Sequence, residues 1–223
     1  MFFEEKYNNM TPEQKEEFLK FLFLNDPSEY GAQVRDEYYG SILKAMGKNV
    51  KIGTGVKFVN PQWITIGDNV TIYDDVTIIA RGDGGVEIGD GSYICERVYL
   101  DTQTVDEGYI KIGKTVYIGT GTTLFGHKGL EIGDNTLMAQ NITITPYSHK
   151  FDDKNDIIWH QGGHSKKVTI GQDCYIGMGV NVMYSGDIGD GSVIGAGSTV
   201  VKAIPPYSVA VGSPAKVIKK RGE

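Results

Sequence analysis

Three of the four histidines of this 223-residue chain lie in one stretch, residues 146–167, which reads PYSHKFDDKNDIIWHQGGHSKK. Histidine is the side chain whose usual pKa, about 6.5, lets it take up and release a proton near neutral pH. The same stretch contains Asp152 and Asp153, which could orient an imidazole or bind the hydroxyls of a ligand, and Tyr147 and Trp159, whose rings could stack on a ligand. Each also has an ordinary explanation, as a solvated loop carboxylate or as an aromatic residue that anchors the loop. The stretch therefore predicts either acid–base chemistry or a polar surface loop.

The composition argues against several classes of protein. The chain has 22 Lys and Arg against 28 Asp and Glu, a net charge of −6, which disfavours nonspecific binding to nucleic acid or to an anionic membrane. No apolar run approaches the ~20 residues of a membrane span, and the first residues, MFFEEKYNNM, carry acids where a signal peptide carries Lys or Arg. The two cysteines, Cys95 and Cys174, lack CxxC spacing, so we expect no disulfide framework and no cysteine zinc site. We expect a cytoplasmic protein with reduced thiols.

Aliphatic residues recur every six positions along most of the chain, and a glycine often follows directly. This period fits neither the 3.6-residue repeat of a helix nor the alternation of a strand. It fits short strands joined by tight corners, where glycine allows a positive φ or a close approach of backbone. Three hexads make one triangular turn of eighteen residues, so the pattern predicts a parallel β-solenoid. The positions are Ile66, Ile72, Ile78; Ile88, Ile94, Leu100; Ile112, Ile118, Leu124; Ile132, Met138, Ile144; Ile170, Ile176, Val182; and Ile188, Ile194, Val200.

The segments outside this period define three regions of the chain. Residues 1–48 contain two helical patterns, one starting at the capping box Thr11–Gln14 and one from about Ser28 to Met46, and we expect them to cap the open first coil. Residues 49–204 form the solenoid. Its largest insertion, at about 146–167, is a long unstructured insert that we expect to project from the scaffold. Residues 205–223 would form a terminal strand and a basic tail.

The hexads, the segment LEIGDNTLMAQNITITPYSHKFDD and the C-terminal GSPAKVIKK resemble the hexapeptide-repeat acyltransferases. Within that family the chain is similar to the maltose/galactoside O-acetyltransferases and to the sugar O-acetyltransferases of surface-polysaccharide pathways. The resemblance implies an all-β solenoid, a left-handed parallel β-helix with a small N-terminal helical cap. It also implies an acetyl-CoA-dependent O-acetyltransferase that acts on a sugar or polysaccharide-precursor hydroxyl. The family forms homotrimers with active sites between subunits, and we expect the same here.

The resemblance assigns the role of general base to His149. The catalytic histidine of the family follows the IGDN hexad by fourteen residues, and His149 stands fourteen after Asn135. It would take the proton from a sugar hydroxyl as that oxygen attacks the thioester carbonyl of acetyl-CoA. The galactoside enzymes have proline after this histidine, where this chain has Lys150. They also carry an acidic pair that binds the acceptor where this chain has Gly126 and His127, so His127 is either an acceptor contact or an ordinary exposed histidine.

The resemblance also implies where CoA binds. Its pantetheine amides would pair with backbone that small residues leave accessible on successive coils, and lysines would meet its phosphates. For the lysines, simple solvation is the alternative explanation. The donor-site candidates are Gly177, Met178, Gly195, Ala196, Lys202, Pro214, Lys216 and Lys219.

Several alternatives remain open. N-acetylation of an amino sugar, or O-acetylation of serine or an antibiotic, would use the same scaffold with a different acceptor pocket. A β-helical zinc carbonic anhydrase is more distant. His127, His160 and His164 would supply three neutral ligands, but the last two lie in a long loop rather than on coil positions, so we expect no metal. A purely structural solenoid would leave the histidine-rich insert unexplained.

Overall fold

The computed structural model describes residues 6–104 and 106–223. Their strands wind into a parallel β-solenoid of about seven turns, with a short helical region before it, which confirms the predicted solenoid. Three sheets run along the solenoid, because each strand pairs in register with the strand one turn later.

Sheet 1 contains β1 (Ala45–Met46), β4 (Ile64–Ile66), β7 (Val86–Ile88), β10 (Ile110–Ile112), β13 (Leu130–Ile132) and β18 (Val168–Ile170). Sheet 2 contains β2 (Lys51–Ile52), β5 (Thr71–Ile72), β8 (Tyr93–Ile94), β11 (Tyr117–Ile118), β14 (Leu137–Met138), β19 (Tyr175–Ile176), β21 (Val193–Ile194), β23 (Ser208–Val211) and the antiparallel β24 (Lys216–Lys220). Sheet 3 contains β3 (Lys57–Val59), β6 (Thr77–Ile79), β9 (Tyr99–Asp101), β12 (Thr123–Phe125), β15 (Thr143–Ile144), β20 (Asn181–Val182) and β22 (Thr199–Val200). We call the corner between sheets 2 and 3 the 2–3 corner, and the corner between sheets 3 and 1 the 3–1 corner.

The core of the solenoid is the column of hexad aliphatics. All eighteen predicted positions are buried, and none is more than 4% exposed. The eighteen hexad positions start at Ile66 and leave out the first turn, in which Met46, Ile52 and Phe58 pair with Ile66, Ile72 and Ile78. The solenoid therefore begins at Ala45, four residues before the boundary at residue 49 that the sequence predicted.

Helices α1 (Pro12–Leu24) and α2 (Glu29–Ile42) precede the solenoid. The capping box at Thr11 is confirmed, because its hydroxyl accepts the Gln14 N–H and the Gln14 side chain accepts the Thr11 N–H. The predicted end of the second helix at Met46 is wrong. The chain leaves the helix at Ile42, because Met46 is already a hexad residue and the next N–H, of Gly47, donates to the carbonyl of Ile66.

Helix α2 covers the first turn of the solenoid, as expected of a cap. The buried guanidinium of Arg35 donates from Nε to the carbonyl of Ile52 at 2.8 Å. The hydroxyl of Tyr39 donates to the carbonyl of Val56, also at 2.8 Å, and burial raises the pKa of Tyr39 to about 12. These bonds satisfy backbone carbonyls that no earlier coil could pair.

Glycine has two separate roles at the corners. A Cβ on Gly119, directly after an inward aliphatic, would lie 2.5 Å from the carbonyl group of Ala139 on the next coil, so close stacking requires glycine there. The positive φ falls two residues later, at Gly121 and at Asn141 one coil further on. The sequence pattern did not separate these two demands.

The insertion after β15 is a β-hairpin, so the expectation of an unstructured insert is wrong. Strands β16 (Tyr147–His149) and β17 (Gly163–Ser165) pair antiparallel, and a 3-10 turn, Ile158–Gln161, lies between them. We call residues 147–165 the hairpin arm. A second 3-10 turn, Pro61–Trp63, precedes β4. Over the described residues, no α-helix combines the length and apolar composition that a membrane crossing requires.

Candidate active site

The 3–1 corner carries polar and aromatic side chains on four successive coils. Ile79, Asp101 and Phe125 pair in register at the ends of their strands in sheet 3. Residues two positions further along therefore stack around the corner. This column consists of Arg81, Gln103, His127 and Tyr147.

The structure brings His127, Tyr147 and His149 together at the upper end of this column. The ring of His127 stacks on Tyr147, with centroids 4.9 Å apart and planes 16° apart. Tyr147 in turn meets His149 edge to face, at 5.0 Å and 89°. Tyr147 and His149 are two residues apart on strand β16, so their side chains lie on the same face of the hairpin arm. Tyr147 is partly buried on the solenoid, and the exposed His149 imidazole lies beside it. These are three of the residues that the sequence selected.

His127 is half-buried and presents one nitrogen to the outside. Burial lowers its pKa, and the nearby Asp101 carboxylate offsets this only in part. Its Nδ1 is buried with no hydrogen-bond partner among the described residues. A proton on Nδ1 would therefore be a buried donor without an acceptor, which is costly, so the neutral ring carries its proton on Nε2. His127 thus presents an N–H donor at the 3–1 corner.

A charged cluster centred on the buried Asp101 lies below His127, and the sequence pattern missed it. Asp101 is fully buried; its Oδ1 accepts Arg81 Nε at 2.7 Å and the Gln103 N–H at 2.8 Å. Its Oδ2 accepts Arg81 Nη2 at 2.7 Å and the Tyr99 hydroxyl at 3.0 Å. Burial by itself raises the pKa of Asp101, but these bonds outweigh it, and the pKa lies below its usual range. The sequence did contain a signal for this cluster. Asp101 directly follows the inward Leu100, at a position where the neighbouring coils have Ile79 and Phe125.

The far part of the hairpin arm is exposed. Trp159 is 83% exposed, so it does not anchor the arm to the solenoid, and that explanation is wrong. Asp153 Oδ1 accepts the N–H of Asn155 at 2.9 Å and shapes the turn. Among the described residues, neither Asp152 nor Asp153 makes a hydrogen bond or ion pair with His149. The structure therefore shows no carboxylate that orients this imidazole.

The remaining histidines have separate partners. His160 Nδ1 lies 3.1 Å from Asp156 Oδ1, and the ring of His164 stacks on Tyr184. Over residues 6–104 and 106–223, no three His, Cys, Asp or Glu side chains are grouped so that they could hold a metal ion. The zinc alternative has no ligand set in this part of the chain.

The small residues of the predicted donor site lie on the 2–3 corner, one coil apart, but not all of them leave the surface open. A Cβ on Gly177 would lie 2.6 Å from the backbone nitrogen of Ala196, and one on Gly195 would lie 2.7 Å from a methyl carbon of Val211. These two glycines serve the stacking of coils. The open positions are Gly179 and Gly197, where an added Cβ would have nothing within 4 Å. Beside them, Met178 and Ala196 are exposed.

The basic candidates do not form one cluster. Lys202 follows β22 and lies at the 3–1 corner, across sheet 3 from the glycines. Pro214 lies in the turn above the 2–3 corner, where the Ala215 N–H donates to the carbonyl of Thr199, and Lys216 begins the strand that follows. Lys219 Nζ donates to the carbonyl of Glu223. The expected basic tail is an ordered strand, β24.

Hexad coils, three parallel sheets and a histidine-bearing arm at one corner define a hexapeptide-repeat β-solenoid. Residues 167–202 match the family model described as the hexapeptide repeat of succinyl-transferase. The chain is 37% identical over 166 residues to a probable acetyltransferase of Mycobacterium tuberculosis, which covers 74% of this chain and 54% of that protein. It is 34% identical over 137 residues to the galactoside O-acetyltransferase of Escherichia coli, covering 60% and 63%.

The fold is similar to that of AntD, an N-acyltransferase from Bacillus cereus solved in complex with dTDP and coenzyme A. The TM-score is 0.61 at 20% identity, covering 84% of this chain and 89% of that one. The chain spans 54% and 63% of the two relatives found by sequence. Residues 167–202 carry the hexapeptide repeat, and the chain is similar in sequence to hexapeptide-repeat acetyltransferases.

Proposed function

We propose that the protein is an acetyl-CoA-dependent O-acetyltransferase that acts on a sugar hydroxyl, with His149 as the general base. The observation that carries this proposal is the ring array of the 3–1 corner. It sets an exposed imidazole beside Tyr147 and a second imidazole, His127, at a surface able to receive a sugar ring. Aromatic faces pack against the apolar face of a sugar, while nearby polar groups bind its hydroxyls.

In the proposed reaction, His149 accepts the proton of the sugar hydroxyl as that oxygen attacks the carbonyl carbon of the acetyl thioester. The C–O bond forms, the C–S bond breaks, and the sulfur of CoA leaves with the proton that His149 had taken. The products are the acetyl ester and free CoA thiol. His127 is suited to hold an acceptor oxygen, because its Nε2–H is a donor at the same corner.

The donor would lie along the 2–3 corner, at the open positions Gly179 and Gly197 with the exposed Ala196 beside Gly197. Pantetheine amides can approach backbone closely there. This corner and His149 lie at opposite edges of sheet 3. We therefore propose a homotrimer, in which His149 of one chain acts on CoA held partly by its neighbour.

Transfer to oxygen is preferred over transfer to an amine. The galactoside O-acetyltransferase is 34% identical to this chain, against 29% for the dTDP-4-amino-4,6-dideoxy-D-glucose acyltransferase of Escherichia coli and 20% for the N-acyltransferase AntD. N-acetylation of an amino sugar is the second candidate, because the same base and donor would serve it.

The test is release of CoA thiol from acetyl-CoA in the presence of sugars, amino sugars and nucleotide sugars, with the product identified by mass and by alkali treatment. We expect an alkali-labile ester. An alkali-stable amide would establish the second candidate instead. No thiol release with any acceptor, together with stoichiometric zinc in the purified protein, would overturn both. Light scattering at the assay concentration tests the trimer, and a monomer would contradict it.

A further inference from the structure

The guanidinium of Arg81 is held in place and remains partly free. Two of its five N–H groups donate to Asp101, from Nε and from Nη2. The other three have no partner among the described residues, and the side chain is 43% exposed. A carboxylate holds one edge of this guanidinium, and its other edge is open. It can therefore bind a second oxygen group without a further loss of side-chain conformational entropy.

The carboxylate of Asp101 is not available to a ligand. All four of its acceptor positions are filled, by Arg81 twice, by Tyr99 and by Gln103. His127 offers an N–H donor rather than an acceptor. The open groups of Arg81 and His127 therefore all donate, so the surface between them favours a ligand rich in acceptor oxygens.

The spacing of the coils fits a ligand that extends from the reacting sugar. Arg81 reaches up one coil to Asp101, so its guanidinium lies one to two coils below His127, or roughly 5–10 Å at ~4.8 Å per coil. Tyr147 stacks directly on His127. Because Tyr147 lies one coil above His127, a ligand whose reacting sugar lies at Tyr147 and His149 must extend roughly 10–15 Å to reach Arg81.

We propose that Arg81 binds an anionic oxygen group of the acceptor, a carboxylate or a phosphate, so that the natural acceptor is an acidic sugar derivative. This rests on the proposed function for the identity of the reacting end. Bidentate binding of such groups is the chemistry for which the arginine fork is suited. Asp101 acts as a positioning residue, which holds the fork and is itself shielded from the ligand.

The experiment measures equilibrium binding by calorimetry for pairs of acidic probes and their neutral parents: glucose 1-phosphate, UDP-glucose and glucuronate against glucose, and galactose 1-phosphate against galactose. The variant Arg81→Gln/Asp101→Asn removes both charges and leaves no unpaired buried carboxylate. Arg97→Gln is the matched control, because Arg97 is exposed on the 2–3 corner of the adjacent coil. Thermal melts of every variant check the fold.

We expect at least one acidic probe to bind about tenfold or more tightly than its parent, because hydrogen bonds between charged partners are stronger than neutral ones. The double variant should lose that preference, Arg97→Gln should keep it, and Arg81→Lys should keep part of it. Comparison of the phosphate-bearing probes with glucuronate identifies whether a phosphate or a carboxylate is bound. Equal affinities for acidic and neutral probes, or an equal loss for both in the double variant, would overturn the proposal.

This result is separable from that of the proposed function. Acetyl transfer to neutral sugars as efficient as to acidic ones would leave the acetyltransferase standing and refute the role of Arg81. Binding of acidic probes that depends on Arg81, with no acetyl transfer, would do the reverse.

Discussion

The two corners that flank sheet 3 differ in both backbone and side chains: four residues separate the strands at every 2–3 corner, whereas the 3–1 corner carries the insertions, including the hairpin arm. On the upper coils the 2–3 corner consists of small residues, and its surface is open at Gly179 and Gly197. The 3–1 corner carries Arg81, His127 and Tyr147 on a stack that ends at the hairpin arm. The inward hexad residues are of the same kind at both corners, so the packing of the core does not depend on the outward side chains of the corners. Corner residues can therefore specialise, one edge for a long flexible donor and the other for a specific acceptor.

Among substitutions that test the difference between the two corners, removal of the general base His149 should have the largest effect. His149→Ala should lower acetyl transfer by about 10²–10⁴-fold, the usual contribution of a general base, while acetyl-CoA binding and the melting temperature stay unchanged. His164→Ala is the matched control, because His164 lies on the partner strand of the same hairpin and stacks on Tyr184. Turnover numbers of both variants measure the difference. Near-normal turnover in His149→Ala, or an equal loss in His164→Ala, would refute the assignment.

A bulky residue on the open corner should affect the donor instead. Ala196→Trp is expected to raise the KM for acetyl-CoA about tenfold or more, since each displaced hydrogen bond costs ~1 kcal/mol. Thr54→Trp occupies the same hexad position six coils away, about 29 Å at ~4.8 Å per coil, and should leave that KM unchanged. Steady-state kinetics with acetyl-CoA varied separates the two. Matching effects from both variants would mean that the 2–3 corner does not bind the donor.

The two glycine roles can be separated by one substitution at two positions. Gly177→Asn should destabilise the fold by about 1–3 kcal/mol, because its Cβ would lie 2.6 Å from the backbone of Ala196. Gly179→Asn should change stability by less than about 0.5 kcal/mol, because the site is open and its φ of +69° is one that asparagine accepts. Asn141 already has a similar φ of 57° one coil below. Denaturant unfolding measures both, and equal losses would contradict the distinction.

The solenoid was predictable from sequence because each hexad encodes its own turn. An inward aliphatic and a following glycine specify a strand and a corner locally, so the eighteen positions were found without knowledge of distant contacts. The eighteen positions leave out the first turn because Phe58 is aromatic rather than aliphatic and Met46 continues a helical spacing. The pairing that makes Met46 a strand residue is with Ile66, twenty residues later.

The candidate site was predictable only in part, for the same reason. His149 stood out through its position after the IGDN hexad, and Tyr147 through the insert that holds both. Arg81 and Asp101 are twenty residues apart and meet only when two coils stack. Outward corner positions accept many residue types, so no period marks them. The direction in which the hairpin arm presents His149 depends on two ring contacts, His127 with Tyr147 and Tyr147 with His149, which sequence spacing does not encode.

The smallest expected effect is the dependence of stability on pH, which distinguishes His127 from Asp101 at the 3–1 corner. Burial lowers the pKa of His127 in the folded state below the ~6.5 of an unfolded chain. Between those two values the unfolded chain binds more protons, so stability falls as pH drops below ~6.5. The pKa of Asp101 is also lowered, but its contribution is present above ~3.9 and is lost only as pH falls through its folded value. The effect of His127 begins at ~6.5 and that of Asp101 only at ~3.9, so a comparison made above pH ~5 reports on His127 and not on Asp101.

His127→Asn should therefore lose less stability than the native chain when pH is lowered from about 7.5 to about 5.5, a window that lies below and above the ~6.5 of free histidine. Urea midpoints of both proteins at the two pH values give the comparison. An identical pH-dependent loss in both would show that His127 does not pass from neutral to charged on unfolding. It would then no longer be the neutral Nε2–H donor on which the contrast between the two corners depends.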